Sequence, residues 1–268
     1  MKQILLTNDD GVRRPGLWRL YEVLKSVGEV CVVAPESARS ATGMSITLHK
    51  PLRLRKTLVN GVKAFACSGT PSDCVIVGLR KVLGGSPPDL VVSGINEGNN
   101  VSLQAVYGSG TVAAAVRAAL MGIPSVAFSL AFPEETQVSH AWLRRRMRDA
   151  ADRAKPIVEW VLANGLPAGV DYLNINFPPD VDADTPVKVT RAAVARYVEV
   201  VEERRDPRKQ PYYWLYGHLL GENEMEPGTD AYAVFVEDAI SITPMRVDAS
   251  LVEGRVLDGL VRYVSGKA

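Results

Sequence analysis

The rhythm of the first 130 residues restricts the fold more than any other feature of the chain. Short apolar runs alternate with helical patterns: Ile4 to Thr7, then Leu17, Leu20, Tyr21 and Leu24 at helical spacing, then Val30 to Ala34. Run, amphipathic helix and run make a β-α-β unit, and such units build parallel sheets. Asp89 to Ser93 and Pro124 to Ser129 read as further buried strands. Between them Val112, Val116, Ala119 and Leu120 form the apolar stripe of a helix that Gly122 ends. The fold class is α/β with a mostly parallel sheet.

One segment breaks the rhythm. Ser45 to Ala66 alternates through Ile46, Leu48, Leu52 and Leu54 and contains Asn60-Gly61, a hairpin signal because both residue types tolerate positive φ. An antiparallel excursion is expected there. Thr70-Pro71-Ser72-Asp73 then starts a helix that should run to about Leu83: Thr70 is the N-cap, Pro71 is preset at the first helical position, and Asp73 lies favourably against the dipole.

After residue 130 the texture changes. A basic helix is predicted over about 139–163 and a strand over Asp171 to Phe177, while 184–245 mixes extended segments with exposed charge. The chain divides into a core, 1–130, and a C-terminal region, 131–268, which reads as an appendage. The Arg-rich run Leu143 to Arg148 and the cluster Glu202 to Lys209 read as solvated faces.

Composition narrows the partners. Lys plus Arg number 31 against 30 Asp plus Glu, a net charge of +1, which excludes generic attraction to duplex nucleic acid or to a membrane surface. No run reaches the ~18 apolar residues of a membrane helix and the N-terminus lacks a signal-peptide core, so a cytoplasmic protein is expected. Cys31, Cys67 and Cys74 are odd in number and lack Cys-x-x-Cys spacing, so they read as inert thiols rather than a disulfide framework or zinc site.

Open α/β sheets bind ligands beyond the carboxyl ends of their strands, and those positions here are polar. The first strand ends in Thr7-Asn8-Asp9-Asp10-Gly11, and adjacent carboxylates repel unless a cation, a proton or strong donors compensate. A hard divalent cation is one solution; capping of the next helix is the other use of such a pair. The second strand leads to Arg39-Ser40-Ala41-Thr42-Gly43 and the fourth to Ser93-Gly94-Ile95-Asn96, where Ser40 and Asn96 are either neutral oxygen donors or turn formers. Asp9, Asp10, Ser40 and Asn96 together offer only oxygen, which favours magnesium or manganese over zinc.

Gly108-Ser109-Gly110-Thr111 precedes a helix, where hydroxyls and N–H groups make either an anion site or a cap. No Gly-Lys-Ser/Thr loop, Gly-x-Gly-x-x-Gly or Gly-x-Ser-x-Gly elbow is present, and His49, His140 and His218 are not spaced as a metal pair. A metal beside a phosphate cradle points to phosphoryl chemistry.

Taken together, Leu6 to Gly11, Arg39 to Gly43, Gly69-Thr70-Pro71, Ser93 to Asn96 and Ser109-Gly110-Thr111-Val112 closely resemble the survival protein SurE family of nucleotidases. The resemblance is strong over about 1–130. It continues weakly through Leu173 to Asn176, Tyr212-Tyr213-Trp214 and Ser241 to Pro244. It implies a Rossmann-like core with helices on both faces and a C-terminal β-hairpin arm, about 184–245, exchanged in a homodimer or dimer of dimers. It also implies hydrolysis of nucleoside 5′- or 3′-monophosphates with one divalent cation, Mg2+ or Mn2+, on Asp9, Asp10, Ser40 and Asn96. Asn8, Ser109, Gly110 and Thr111 become candidates for the substrate, and Asp9 or Asp10 for general base or nucleophile. The sequence departs from the family pattern at Met44, commonly histidine, at Gln104, commonly an acid, and at Gly108, which is inserted between Tyr107 and Ser109. Two other functions keep the same features: a metal-dependent nucleotide-binding regulator without turnover, and a sugar-nucleotide transferase. Tyr212 to Trp214 either stack on a base or pack an interface.

Overall fold

The computed structural model describes residues 1–133, 138–250 and 258–265. Strands β1 (Gln3–Thr7), β2 (Glu29–Pro35), β3 (Leu54–Val59), β4 (Val62–Cys67), β5 (Leu90–Glu97), β6 (Ser125–Leu130), β7 (Tyr172–Phe177), β8 (Val187–Val189) and β11 (Ile240–Met245) form one sheet. Its order is β3-β4-β2-β1-β5-β6-β7-β11-β8. The strands from β4 to β7 run parallel, β3 is antiparallel to β4, and β11 is antiparallel to β7.

Alternation along β1 explains the layering. Ile4 and Leu6 face one way, with Leu17, Leu20 and Leu24 of α1 (Pro15–Leu24) and Met147, Ala150 and Val158 of α5 (His140–Asn164). Leu5 faces the other, with Cys74 and Val75 of α2 (Pro71–Val77) and Ala114 and Ala118 of α4 (Gly110–Ala119). Strands buried on both faces read as continuous apolar runs, which is why the first half was so regular. Each large side chain sealed here contributes roughly 1.5–3 kcal/mol.

The local signals are realised where the backbone decides them. Asn60 and Gly61 have φ of 51° and 78° and join β3 to β4. Thr70 and Asp73 form a reciprocal capping box, Asp73 N to Thr70 Oγ1 at 3.2 Å and Thr70 N to Asp73 Oδ2 at 2.9 Å. α2 then continues through a π-helical turn, Gly78–Val82.

The excursion is shorter than its alternation suggests. Ile46 and Leu48 belong to no strand and are exposed, so the alternation there is not that of a paired strand. Side-chain bonds hold that stretch instead: Thr47 Oγ1 donates to Asp73 Oδ2 at 2.6 Å and Thr70 Oγ1 to the Ser45 carbonyl at 2.7 Å.

The sheet also continues past residue 130. β7 pairs with β6, and β11 and β8 extend the same edge. β9 (Tyr197–Arg205) and β10 (Pro211–Leu219) form a separate antiparallel ribbon. Two further short helices are α3 (Ser102–Gly108) and α6 (Asp230–Phe235), and α7 (Asp258–Val264) is the last described element. Among the described residues no helix is long and apolar enough to cross a membrane.

Candidate active site

The chain runs from β1 to β2 on one side and returns to place β5 on the other, so the order reverses between β1 and β5. At such a switch point the helices diverge and open a crevice beyond the strand ends. β1 delivers Asp9 and Asp10 there, and β5 delivers Asn96 and Glu97.

Asn8 shapes the turn that carries the carboxylates. Its side chain donates to the Gly11 carbonyl at 3.1 Å and accepts from the Gly11 N–H at 3.2 Å. The cap of α1 is Arg14, with no side-chain cap bond, so Asp9 and Asp10 are not helix caps. Asp9 is only 5% exposed. It accepts the Thr111 hydroxyl on Oδ1, and the Gly110 and Thr111 N–H groups also stabilise its charge. The Arg39 N–H donates to the Asp9 carbonyl at 2.7 Å and so brings the loop that carries Ser40 alongside.

Burial outweighs those donors and holds the Asp9 carboxyl above the usual range. Asp10 is pushed up to about 7, first by burial, then by the Asp9 and Glu97 charges. Its Oδ2 accepts the Glu97 N–H at 3.2 Å. Glu97 pairs with Arg14 through Oε2, while its Oε1 is buried without a partner. Three acids thus crowd one crevice with one arginine to offset them, an arrangement a cation would relieve.

The donor chemistry fits a hard divalent ion. Among the described residues no group of three or more His, Cys, Asp or Glu is arranged to hold a metal. An ion here would therefore need neutral oxygens beside the aspartates. Asn96 donates through Nδ2 to the Gly98 carbonyl at 2.9 Å, which leaves Oδ1 as an acceptor, and Ser40 lies exposed in the turn after Arg39.

Ser109 and Thr111 divide the two uses that the sequence left open. Ser109 caps α4, its Oγ accepting the Val112 N–H at 3.1 Å, whereas Thr111 turns inward to Asp9. Gly110 lies against the same carboxylate: a Cβ there would sit 2.8 Å from Asp9 Cβ and 3.0 Å from its Oδ2. Glu97 and Arg14 were missed by the sequence reasoning because 83 residues separate them. The charge of Glu97 directly after Asn96 was the available signal.

A parallel sheet that gathers buried carboxylates and a helix start at its switch point defines the class, an α/β protein of the phosphohydrolase type. The chain belongs to the survival protein SurE family, whose sequence model matches residues 4–199. It is 46% identical over 273 residues to the 5'-nucleotidase SurE of Pyrobaculum arsenaticum, covering 98% of each chain. Identity to the 5'-nucleotidase SurE of Hyperthermus butylicus is 44% over 254 residues, covering 94% of this chain and 87% of that one. The crystal structure of the Sure protein from Aquifex aeolicus superposes with a TM-score of 0.80 at 36% identity, covering 98% of this chain and 99% of that one.

Proposed function

We propose that the chain hydrolyses nucleoside monophosphates to nucleoside and phosphate, with a divalent cation held by Asp9, Asp10, Ser40 and Asn96. The observation that carries this is the Asp9–Asp10 pair in the crevice between β1 and β5, with the buried Asp9 bonded to Thr111 at the start of α4. A bound Mg2+ or Mn2+ supplies polarisation of a phosphate oxygen and acidification of a water. The protein's own groups do the rest. The Thr111 hydroxyl and the Gly110 and Thr111 N–H groups fix Asp9, and the positive end of the α4 dipole favours the charge of a phosphate beside it. Asp9, ionised, takes a proton from the attacking water as its oxygen bonds phosphorus and the ester P–O bond breaks, and the departing nucleoside oxygen takes a proton from solvent.

Purified protein with Mn2+ should release phosphate from AMP or GMP and stop in excess chelator. Full activity in chelator removes the metal from the mechanism. Binding without release supports a regulator, and a product carrying a transferred sugar supports a transferase.

The raised Asp10 gives a signed pH dependence. Its ordinary value is 3.8 and its folded value about 7. Its contribution to stability is therefore complete below the unfolded value and lost as pH rises through the folded one. Metal binding must displace that proton. The metal-free chain should lose melting temperature between about pH 4 and 7, and Mn2+ should raise it more at pH 8 than at pH 5. Equal Mn2+ shifts at both pH values rule this out.

The β9–β10 ribbon is the proposed self-association surface of a dimer or dimer of dimers. Val201, Tyr213, Trp214 and Leu215 are exposed on a two-stranded element that is marginal alone. Tyr212 and Trp214 meet edge to face, centroids 6.4 Å apart, as interface aromatics do. Trp214→Glu should shift the light-scattering mass toward the monomer; an unchanged mass excludes Trp214 from the interface.

A further inference from the structure

A second cavity adjoins the start of α4 and has no part in the chemistry above. It encloses about 140 Å3 and is lined by Met44, Tyr107, Ala113, Val116, Tyr172 and Met245, among others. That is below the roughly 300 Å3 of pockets that take a whole ligand, and suits one flat portion of a larger molecule.

Its position links it to the active site. Ser109, Ala113 and Val116 are spaced i, i+4, i+7 and share one stripe of α4, so the cavity continues down the helix from the cap. The Gly43 N–H donates to the Gly108 carbonyl at 2.9 Å. This contact seats Met44 beside Tyr107, two residues before Ser109.

The walls favour a planar aromatic guest. Tyr107 is 72% exposed, so its ring is open to a guest at the mouth of the cavity it lines. Met44 is half-buried beside it, and a polarizable thioether contacts ring systems well. At the inner end Tyr172 is 3% exposed, yet its hydroxyl makes no hydrogen bond among the described residues. Tyr172 is buried as a residue and lines the cavity, and its hydroxyl, which is not among the buried atoms that lack a partner, is free to bond a guest with a polar edge.

We infer that this cavity receives the nucleobase of the substrate, with Tyr107 and Met44 against the faces of the ring and the Tyr172 hydroxyl bonded to its edge. The inference rests on the proposed hydrolysis of nucleoside monophosphates at the Asp9 site. It assigns base recognition to residues outside the metal and phosphate machinery, one of them, Met44, a departure from the family pattern.

The test compares AMP with ribose 5-phosphate, which keeps the phosphoester and lacks the base, in wild-type protein, Tyr107→Ala and Tyr172→Phe with Mn2+. The readout is preference, kcat/KM for AMP divided by kcat/KM for ribose 5-phosphate. Tyr107→Ala should lower it by about tenfold or more, the scale of a base stacked on an aromatic ring. Tyr172→Phe, which keeps the ring, should lower it by about threefold or more through one lost hydrogen bond. Preference within twofold of wild type in both variants, with both substrates hydrolysed, overturns the base site alone. Release of phosphate from neither substrate by the wild type overturns the activity and the base site with it.

Discussion

Replacing Asp9 by Asn should lower kcat for phosphate release by about a thousandfold or more, the scale of losing a positioned acid or base, while the circular dichroism spectrum and melting profile stay close to wild type. The substitution keeps shape and an acceptor for the Thr111 hydroxyl, so the local packing survives. It removes a charge that burial disfavours, so the metal-free fold loses little. It also removes a metal oxygen and the group assigned to take the proton of water. The assay uses saturating Mn2+, so that weaker affinity alone does not account for the loss. A variant within tenfold of wild type would take Asp9 out of the chemistry.

Gly110→Ala should lower turnover by crowding the Asp9 carboxylate without removing any functional group. Within a helix, alanine is favoured over glycine by up to about 1 kcal/mol, and Gly110 does not need a positive φ. Its new Cβ, however, would meet the Asp9 side chain at 2.8–3.0 Å and the Arg39 carbonyl at 3.1 Å. Asp9 must move, and a misplacement of about 1 Å costs on the order of a hundredfold in rate. Crowding a buried carboxylate costs about 1–3 kcal/mol, more than the helix gain, so we expect a lowered urea midpoint together with kcat down by about a hundredfold. Wild-type turnover would show that the carboxylate has slack that the packing does not reveal.

The contrast between what was legible and what was not follows the range of the interactions. The Asn60-Gly61 turn and the Thr70–Asp73 capping box are set by neighbours, and sequence shows them directly. The doubly buried strands β1, β2, β5 and β6 announce themselves as apolar runs. α3 was invisible because seven residues are too few for a periodic stripe. What holds it comes from far along the chain: the Ser102 N–H donates to Asp230 at 2.9 Å and the Leu103 N–H to the Ala193 carbonyl at 2.7 Å. Ile46 and Leu48 misled for the converse reason, an alternating pattern in a stretch that forms no strand.

At the site, the crowding of Asp9 and Asp10 was legible because adjacent carboxylates need compensation wherever they fold. Their burial, the contact with Thr111 and the added charge of Glu97 depend on three strand ends and a helix meeting, which sequence spacing does not encode.

The strand order also sets a timetable for synthesis. Among the described residues β8 has β11 as its only neighbour in the sheet, yet some fifty residues separate them in the chain. A ribosome that has finished β8 has made a strand with nothing to join, and β7 keeps an open edge until β11 arrives. The segment 4–199 that matches the family model ends before β11, the strand that pairs with both β7 and β8. A chain interrupted before residue 240 would leave that edge of β7 unpaired, the kind of open strand edge on which other chains can add.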